Sequence, residues 1–141
     1  MSSDTPALTR VVLDTNIVLD VFVFNDTAAK PVRLALEQGQ LLWVATAHMR
    51  EELARVLAYT HIVPRLAYYQ LDAATVLAHF DRHAQLHEPA PRATAICKDP
   101  DDQCFIDLAV SHQALLLSKD KAVTRLKKRL VPLGARVQLS L

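Results

Sequence analysis

Arg10-Val11-Val12-Leu13-Asp14-Thr15-Asn16 decides how the rest of the chain is read. Consecutive apolar residues ending at an acid fit a strand buried on both faces, as in a parallel sheet, and not the alternating pattern of a half-solvated one. The acid falls where that strand must hand over to a helix. Leu41-Leu42-Trp43-Val44-Ala45 repeats the apolar run, and Leu115-Leu116-Leu117 repeats it with its acid, through Ser118-Lys119-Asp120. Buried strands alternating with helical segments make an α/β fold. The expected architecture is three-layer α/β/α around a central, mostly parallel sheet of four or five strands.

The segments between supply the helices. Asn16 to Phe24 reads as the first, and Asn25-Asp26-Thr27 offers N-caps for a second over residues 28–38, stopped by Gly39. Thr46 is an expected N-cap for a helix to about Tyr59. At about 100° per residue, Met49, Leu53, Val56 and Leu57 share one face of it. Glu51 then lies nearly opposite, in solvent, while Glu52 lies at the edge of the apolar stripe. Pro64 opens a helix expected to run to about His83, and residues 84–100 read as a Pro-rich loop with room for one short strand. Asp99-Pro100-Asp101-Asp102 has the capping acid, the proline at the first helical position and the first-turn acids of a helix start. That helix carries Phe105, Leu108, Ala109 and His112. After Asp120 a basic helix is expected to about Leu130, then a break at Gly134 and a last strand over residues 136–139.

A chain of 141 residues, half of them hydrophobic, makes one domain, residues 1–141 with a core from about 9 to 140. No apolar run approaches the roughly 20 residues of a bilayer span. Met1-Ser2-Ser3-Asp4 lacks the basic-then-apolar profile of a secretory signal, so a cytoplasmic protein without membrane association is expected. Cys97 and Cys104 are too few for a zinc ribbon or redox pair and read as reduced packing residues. Net charge is only +1, but it is segregated. Residues 119–136 hold seven cations and one acid, leaving nine cations and fourteen acids elsewhere. A basic segment beside an acidic cleft suits the backbone of a polyanion.

Asp14, Glu52, Asp102 and Asp120 each sit where an expected strand hands over to an expected helix. In a parallel sheet those junctions gather at the carboxyl edge, where ligands bind. Four carboxylates together repel one another unless a cation holds them, which points to a hard divalent metal. Each acid has a plainer role too. Asp14 and Asp120 can cap the following helices, Asp102 can complement a helix start, and Glu52 can sit solvated. Asn16 is open to capping the helix or to orienting Asp14. His79, His83 and His87 recur every four residues but lack a partner set, and read as a solvated face. Trp43 and Tyr68-Tyr69 read as core or interface.

Neither a Gly-rich phosphate loop nor a Gly-x-Ser-x-Gly elbow is present. An Asp-x-Asp phosphatase is excluded because Asn16 stands where the second acid belongs. Two alternatives remain. A phosphoacceptor signalling domain would use Lys119 but needs a pair of early acids. A non-catalytic RNA-binding or scaffold domain would keep the fold without metal.

Four segments together resemble the PIN domain, a family of metal-dependent ribonucleases that includes toxins of type II toxin–antitoxin pairs. They are residues 11–16, residues 51–57, residues 99–109 and residues 115–121, with the first and third the distinctive ones. The resemblance spans Val11 to about Leu139. It implies that Asp14, Glu52, Asp102 and Asp120 are the acidic metal-site positions, that Asn16 and Ser118 support them, and that Asp107 adds a further acid. Ser118-Lys119 stands where this subgroup more often has Thr-Gly, keeping the hydroxyl and adding a cation. The implied activity is hydrolysis of single-stranded RNA with Mg²⁺ or Mn²⁺. Lys121, Arg125, Lys127, Lys128 and Arg129 are the expected contacts to flanking phosphates. Implied partners are the RNA substrate and, for a toxin, an antitoxin protein; exposed apolar surface leaves room for a homodimer or higher homo-oligomer.

Overall fold

The apolar runs all become strands of one sheet in the computed structural model, which describes residues 8–141. Residues 1–7 of the expected domain lie outside the described residues. The strands are β1 (Thr9–Leu13), β2 (Leu41–Ala45), β3 (Ala84–Leu86), β4 (Leu115–Leu117) and β5 (Arg136–Gln138). Their order is β3-β2-β1-β4-β5, and every neighbouring pair is parallel. Val11 sits in register with Trp43 on one side and Leu115 on the other. The fold is three-layer α/β/α, with the sheet wholly parallel.

Helices α1 (Thr15–Phe22), α2 (Lys30–Glu37), α3 (Ala47–Leu57), α4 (Val63–Tyr68), α5 (Ala73–His83), α6 (Gln103–His112), α7 (Lys121–Thr124) and α8 (Lys127–Leu130) cover the sheet. Short 3-10 turns at Thr27–Ala29, Pro100–Asp102 and Val131–Leu133 complete it. Val11, Val12, Trp43, Phe105 and Leu116 are essentially sealed from solvent at its centre. Losing one of these large side chains to alanine costs about 2–5 kcal/mol. No helix among the described residues is long and apolar enough to cross a membrane.

Several boundaries differ from the expectation, each for a local reason. The helix expected from Pro64 to His83 is broken in two. Gln70 takes a left-handed conformation (φ 58°), and Asp72 is extended, its carboxylate accepting from the Thr75 amide (2.8 Å) and hydroxyl (2.7 Å). The expected basic helix is likewise split into α7 and α8. Glu52 lies in the second turn of α3, not at its junction, and Asp102 closes a 3-10 turn that follows no strand. His79 and His83 are not a solvated face: both are half-buried and stack on Phe22, with ring centroids 4.9 Å and 5.9 Å away. His87 lies beyond that helix, edge-on to His112. Trp43 is core, whereas Tyr68 is largely exposed.

The strand order positions the site. From β1 the chain first builds towards β2 and β3, and later returns to place β4 on the other flank of β1. Such a reversal opens a crevice beyond the carboxyl ends of the two strands. The residues following β1 and β4 are Asp14 and Ser118 to Asp120. A signalling domain of the flavodoxin type has order 2-1-3-4-5 and its crevice between different strands, so the phosphoacceptor reading fails on topology.

Candidate active site

Asp14 is almost fully buried, and its Oδ1 accepts from the Ile17 amide at 2.9 Å, capping α1. Asp120 does the same for α7, its Oδ1 accepting from the Ala122 amide at 2.9 Å. Asp99 caps the 3-10 turn before α6 through the Asp101 amide at 3.0 Å. Capping and a role in the site are therefore not rival explanations. Each cap spends one carboxylate oxygen, fixes the side chain, and leaves the other oxygen outside the cap.

Ser118 links the two strand ends. It is completely buried, and its amide donates to the Gln138 carbonyl at 3.0 Å. Its Oγ accepts from the Asp120 amide at 3.1 Å, and its side chain favours the charged form of Asp14.

Asp14, Asn16, Glu52, Asp102 and Asp120 line one cavity of about 250 Å³, walled by Leu19, Val56, Tyr59, His61 and Ile62. The four expected acids, separated by up to 106 residues in sequence, thus face one space. Asp99 adds a fifth. Ligand oxygens of Asp99, Asp102 and Asp120 lie within 4.8 Å of one another. Asp14 and Glu52 border the cavity without belonging to that tight triad. Asp99 reads in the sequence only as a cap; its place three residues before Asp102 is the signal for its second role.

Burial and mutual repulsion dominate the electrostatics of the cluster. Burial, then Asp120, then Asp99 and Asp14 push the Asp102 carboxyl up to about 7. Its Oδ2 is buried and has no hydrogen-bond partner. Burial also raises Asp14, against the Ser118 side chain and the hydrogen bond from Ile17. Burial raises Glu52, with His48 and Arg55 opposing. An unpartnered buried oxygen amid repelling carboxylates is what a hard cation relieves, since it takes oxygen ligands. The residues present fit a divalent ion.

Asp107, expected as a further site acid, and Lys119, the cation expected beside the site, do something else. Asp107 does not line the cavity. Its Oδ1 accepts from the Ala93 amide (2.8 Å) and from Gln103 Nε2 (2.8 Å), which makes it a packing acid. Lys119 does not enter the cavity either; its ammonium pairs with the buried carboxylate of Asp20. Asp20 gives no warning in the sequence, where it is one polar residue within an apolar helix. Of the expected RNA contacts, Arg125 and Arg129 share a hollow of about 330 Å³ with Lys98, which sits next to Asp99 in the chain. Lys121, Lys127 and Lys128 are exposed but do not line that hollow.

A family model described as the PIN domain matches residues 10–122, covering β1 through the first residues of α7. The chain belongs to the PIN domain family. No curated protein matches it. A PIN domain points to nuclease-type chemistry, and the matched span contains every acid of the cavity. The five carboxylates stand where this PIN domain's switch point opens.

Proposed function

We propose that this PIN domain is a metal-dependent endoribonuclease that hydrolyses phosphodiester bonds of single-stranded RNA. The single observation that carries the reading is the buried, unpartnered Asp102 Oδ2 beside Asp99 and Asp120, in a cavity bordered by Asp14 and Glu52. Asp102 and Asp120, with Asp14, would hold Mg²⁺ or Mn²⁺, and Glu52 would complete the set directly or through water. A bound divalent ion lowers the pKa of water and offsets charge developing on the phosphate oxygens.

The chain's own groups do the rest. The helix caps hold Asp14 and Asp120 in fixed orientation, so these two carboxylates need not reorganise as the phosphate arrives. Glu52, whose carboxyl burial raises above its ordinary value, is the group suited to accept a proton from the attacking water. Lys98, Arg125 and Arg129 would hold a flanking phosphate, fixing register without reading sequence. Lys119 neutralises Asp20 and so keeps one more buried negative charge from adding to the cluster. Within this reading a toxin role is the finer proposal, and a neighbouring gene for a small DNA-binding antitoxin would support it.

Cleavage of a fluorescently labelled single-stranded RNA, with Mg²⁺, with Mn²⁺ and with a chelator, tests the proposal. The unaltered chain is expected to cut only with metal, and Asp14→Asn to cut at least about 100-fold more slowly. Equal rates for both proteins would end the nuclease reading.

A further inference from the structure

A second cavity, of about 230 Å³, lies beside the acidic one and shares Glu52 and Tyr59 with it. Its other walls have a different character: His48 and Arg55 from α3, with Asp101 and Cys104 opposite. The space far exceeds the roughly 30 Å³ of one water. Tyr59 is 43% exposed, yet its backbone is fixed. Its amide donates to the Val56 carbonyl (3.0 Å), and its own carbonyl accepts from the amides of Ile62 (2.9 Å) and Val63 (3.0 Å). The His61 ring lies beside it, 5.7 Å between centroids. An exposed aromatic on a rigid turn gives a stacking face at small entropic cost. Among the described residues Arg55 has no carboxylate within ion-pairing distance, so its fork of donors is unspent.

We infer that this second cavity is a base-recognition subsite for one unpaired nucleobase of the RNA, next to the phosphodiester held at the acids. The inference rests on the nuclease reading of the acidic cavity for its substrate class, and it adds residues that reading does not use. Unpaired RNA bases are typically recognised by stacking on an aromatic ring while their edges meet fixed donors and acceptors. Here Tyr59 supplies the face, Arg55 the donors and Asp101 an acceptor. Guanine matches that set best: O6 and N7 accept from an arginine fork, and its N1–H and amino group donate to a carboxylate. Glu52 and Tyr59 line both cavities, so the two are neighbours, and a base and its adjoining phosphate would lie one in each.

Fluorescence anisotropy with labelled octaribonucleotides, one all-uridine and one with a single central guanosine, tests the inference. It is run in EDTA at low salt, where a metal-dependent enzyme does not cut. The unaltered chain is expected to bind the guanosine oligonucleotide several-fold more tightly. Tyr59→Ala should weaken binding to it about tenfold, while Tyr59→Phe, which keeps the ring, retains it. Arg55→Ala should abolish the difference between the two oligonucleotides and leave uridine binding within about twofold. Wild-type affinity in Tyr59→Ala, or an unchanged guanosine preference in Arg55→Ala, would overturn the subsite. Melting curves establish that each variant is folded. Because no cleavage is read, loss of the nuclease reading, by equal rates in Asp14→Asn, is a separate result.

Discussion

The two ends of one helix turn make opposite use of buried polar groups. At the start of α6, Asp102 is half-buried, its Oδ2 has no hydrogen-bond partner, and its neighbours Asp99 and Asp120 repel it. Immediately after it, Gln103 and Asp107, four residues apart on one face, leave little unspent. Gln103 accepts from the Cys97 amide (2.6 Å) and donates to the Ala95 carbonyl (3.0 Å) and to Asp107, while Asp107 accepts from the Ala93 amide. The two side chains act as an artificial strand for residues 93–97, whose side chains alternate buried and exposed. A buried polar cluster whose partners are complete is architecture. One left unsatisfied is poised for something that binds.

That contrast can be broken by substitution, beginning with the largest effect. Asp102→Asn should lower metal-dependent RNA cleavage by at least about 100-fold, read as initial rates, while the metal-free protein keeps its fold. Nearly wild-type rates would mean that the unsatisfied cluster is not the site.

The same acid sets a pH dependence. A carboxyl whose folded pKa is raised binds more protons in the native than in the unfolded state. Its contribution therefore favours folding least at high pH. With Asp102 at about 7, against an ordinary value of 3.8, the metal-free chain should lose thermal stability as pH rises from about 4 to about 7. Asp102→Asn should flatten that slope in a chelator. Mg²⁺ or Mn²⁺ should restore stability at pH 7.5, by about 2.7 kcal/mol at a hundredfold excess over Kd. A melting temperature that rises through this window, or ignores both ions, would contradict the cluster's electrostatics.

The satisfied half should answer differently. Gln103→Leu strands the Cys97 amide, the Ala95 carbonyl and part of Asp107, and should cost about 1–3 kcal/mol by denaturant unfolding. Cleavage per folded molecule should change far less than in Asp102→Asn. A larger loss of activity than of stability would make the splint part of the site. Least of all, Arg50→Ala removes a two-pronged ion pair to Asp81 between α3 and α5, but both groups lie in solvent, where such pairs contribute little. Its melting curve should not be resolved from that of the unaltered chain.

Local chemistry made much of this readable. β1, β2 and β4 are unbroken apolar runs because both faces of a central parallel strand are buried, and Thr46, Asp14 and Asp120 are caps the chain announces. The break at residues 69–72 was harder, since Gln70 adopts a left-handed backbone without a glycine to flag it. The Asp72–Thr75 capping pair was the available signal. His79 and His83 look solvated by composition because nothing local shows that Phe22 will lie against them. Asp107 looks like a site acid because its residue type is right, and only its distant partner, the Ala93 amide, assigns it to packing.

By itself the sequence determined that acids would follow buried strands and start helices, because strand burial, capping and helix entry are decided within a few residues. Only the tertiary structure decided which carboxylates share a space. The switch between β1 and β4 brings Asp14 to Asp120, α3 lays Glu52 along the same cavity, and the loop before α6 delivers Asp99 and Asp102. It also decided which polar groups were left without partners. Satisfaction of a buried oxygen depends on backbone amides far away in the chain, and no spacing of residues encodes that.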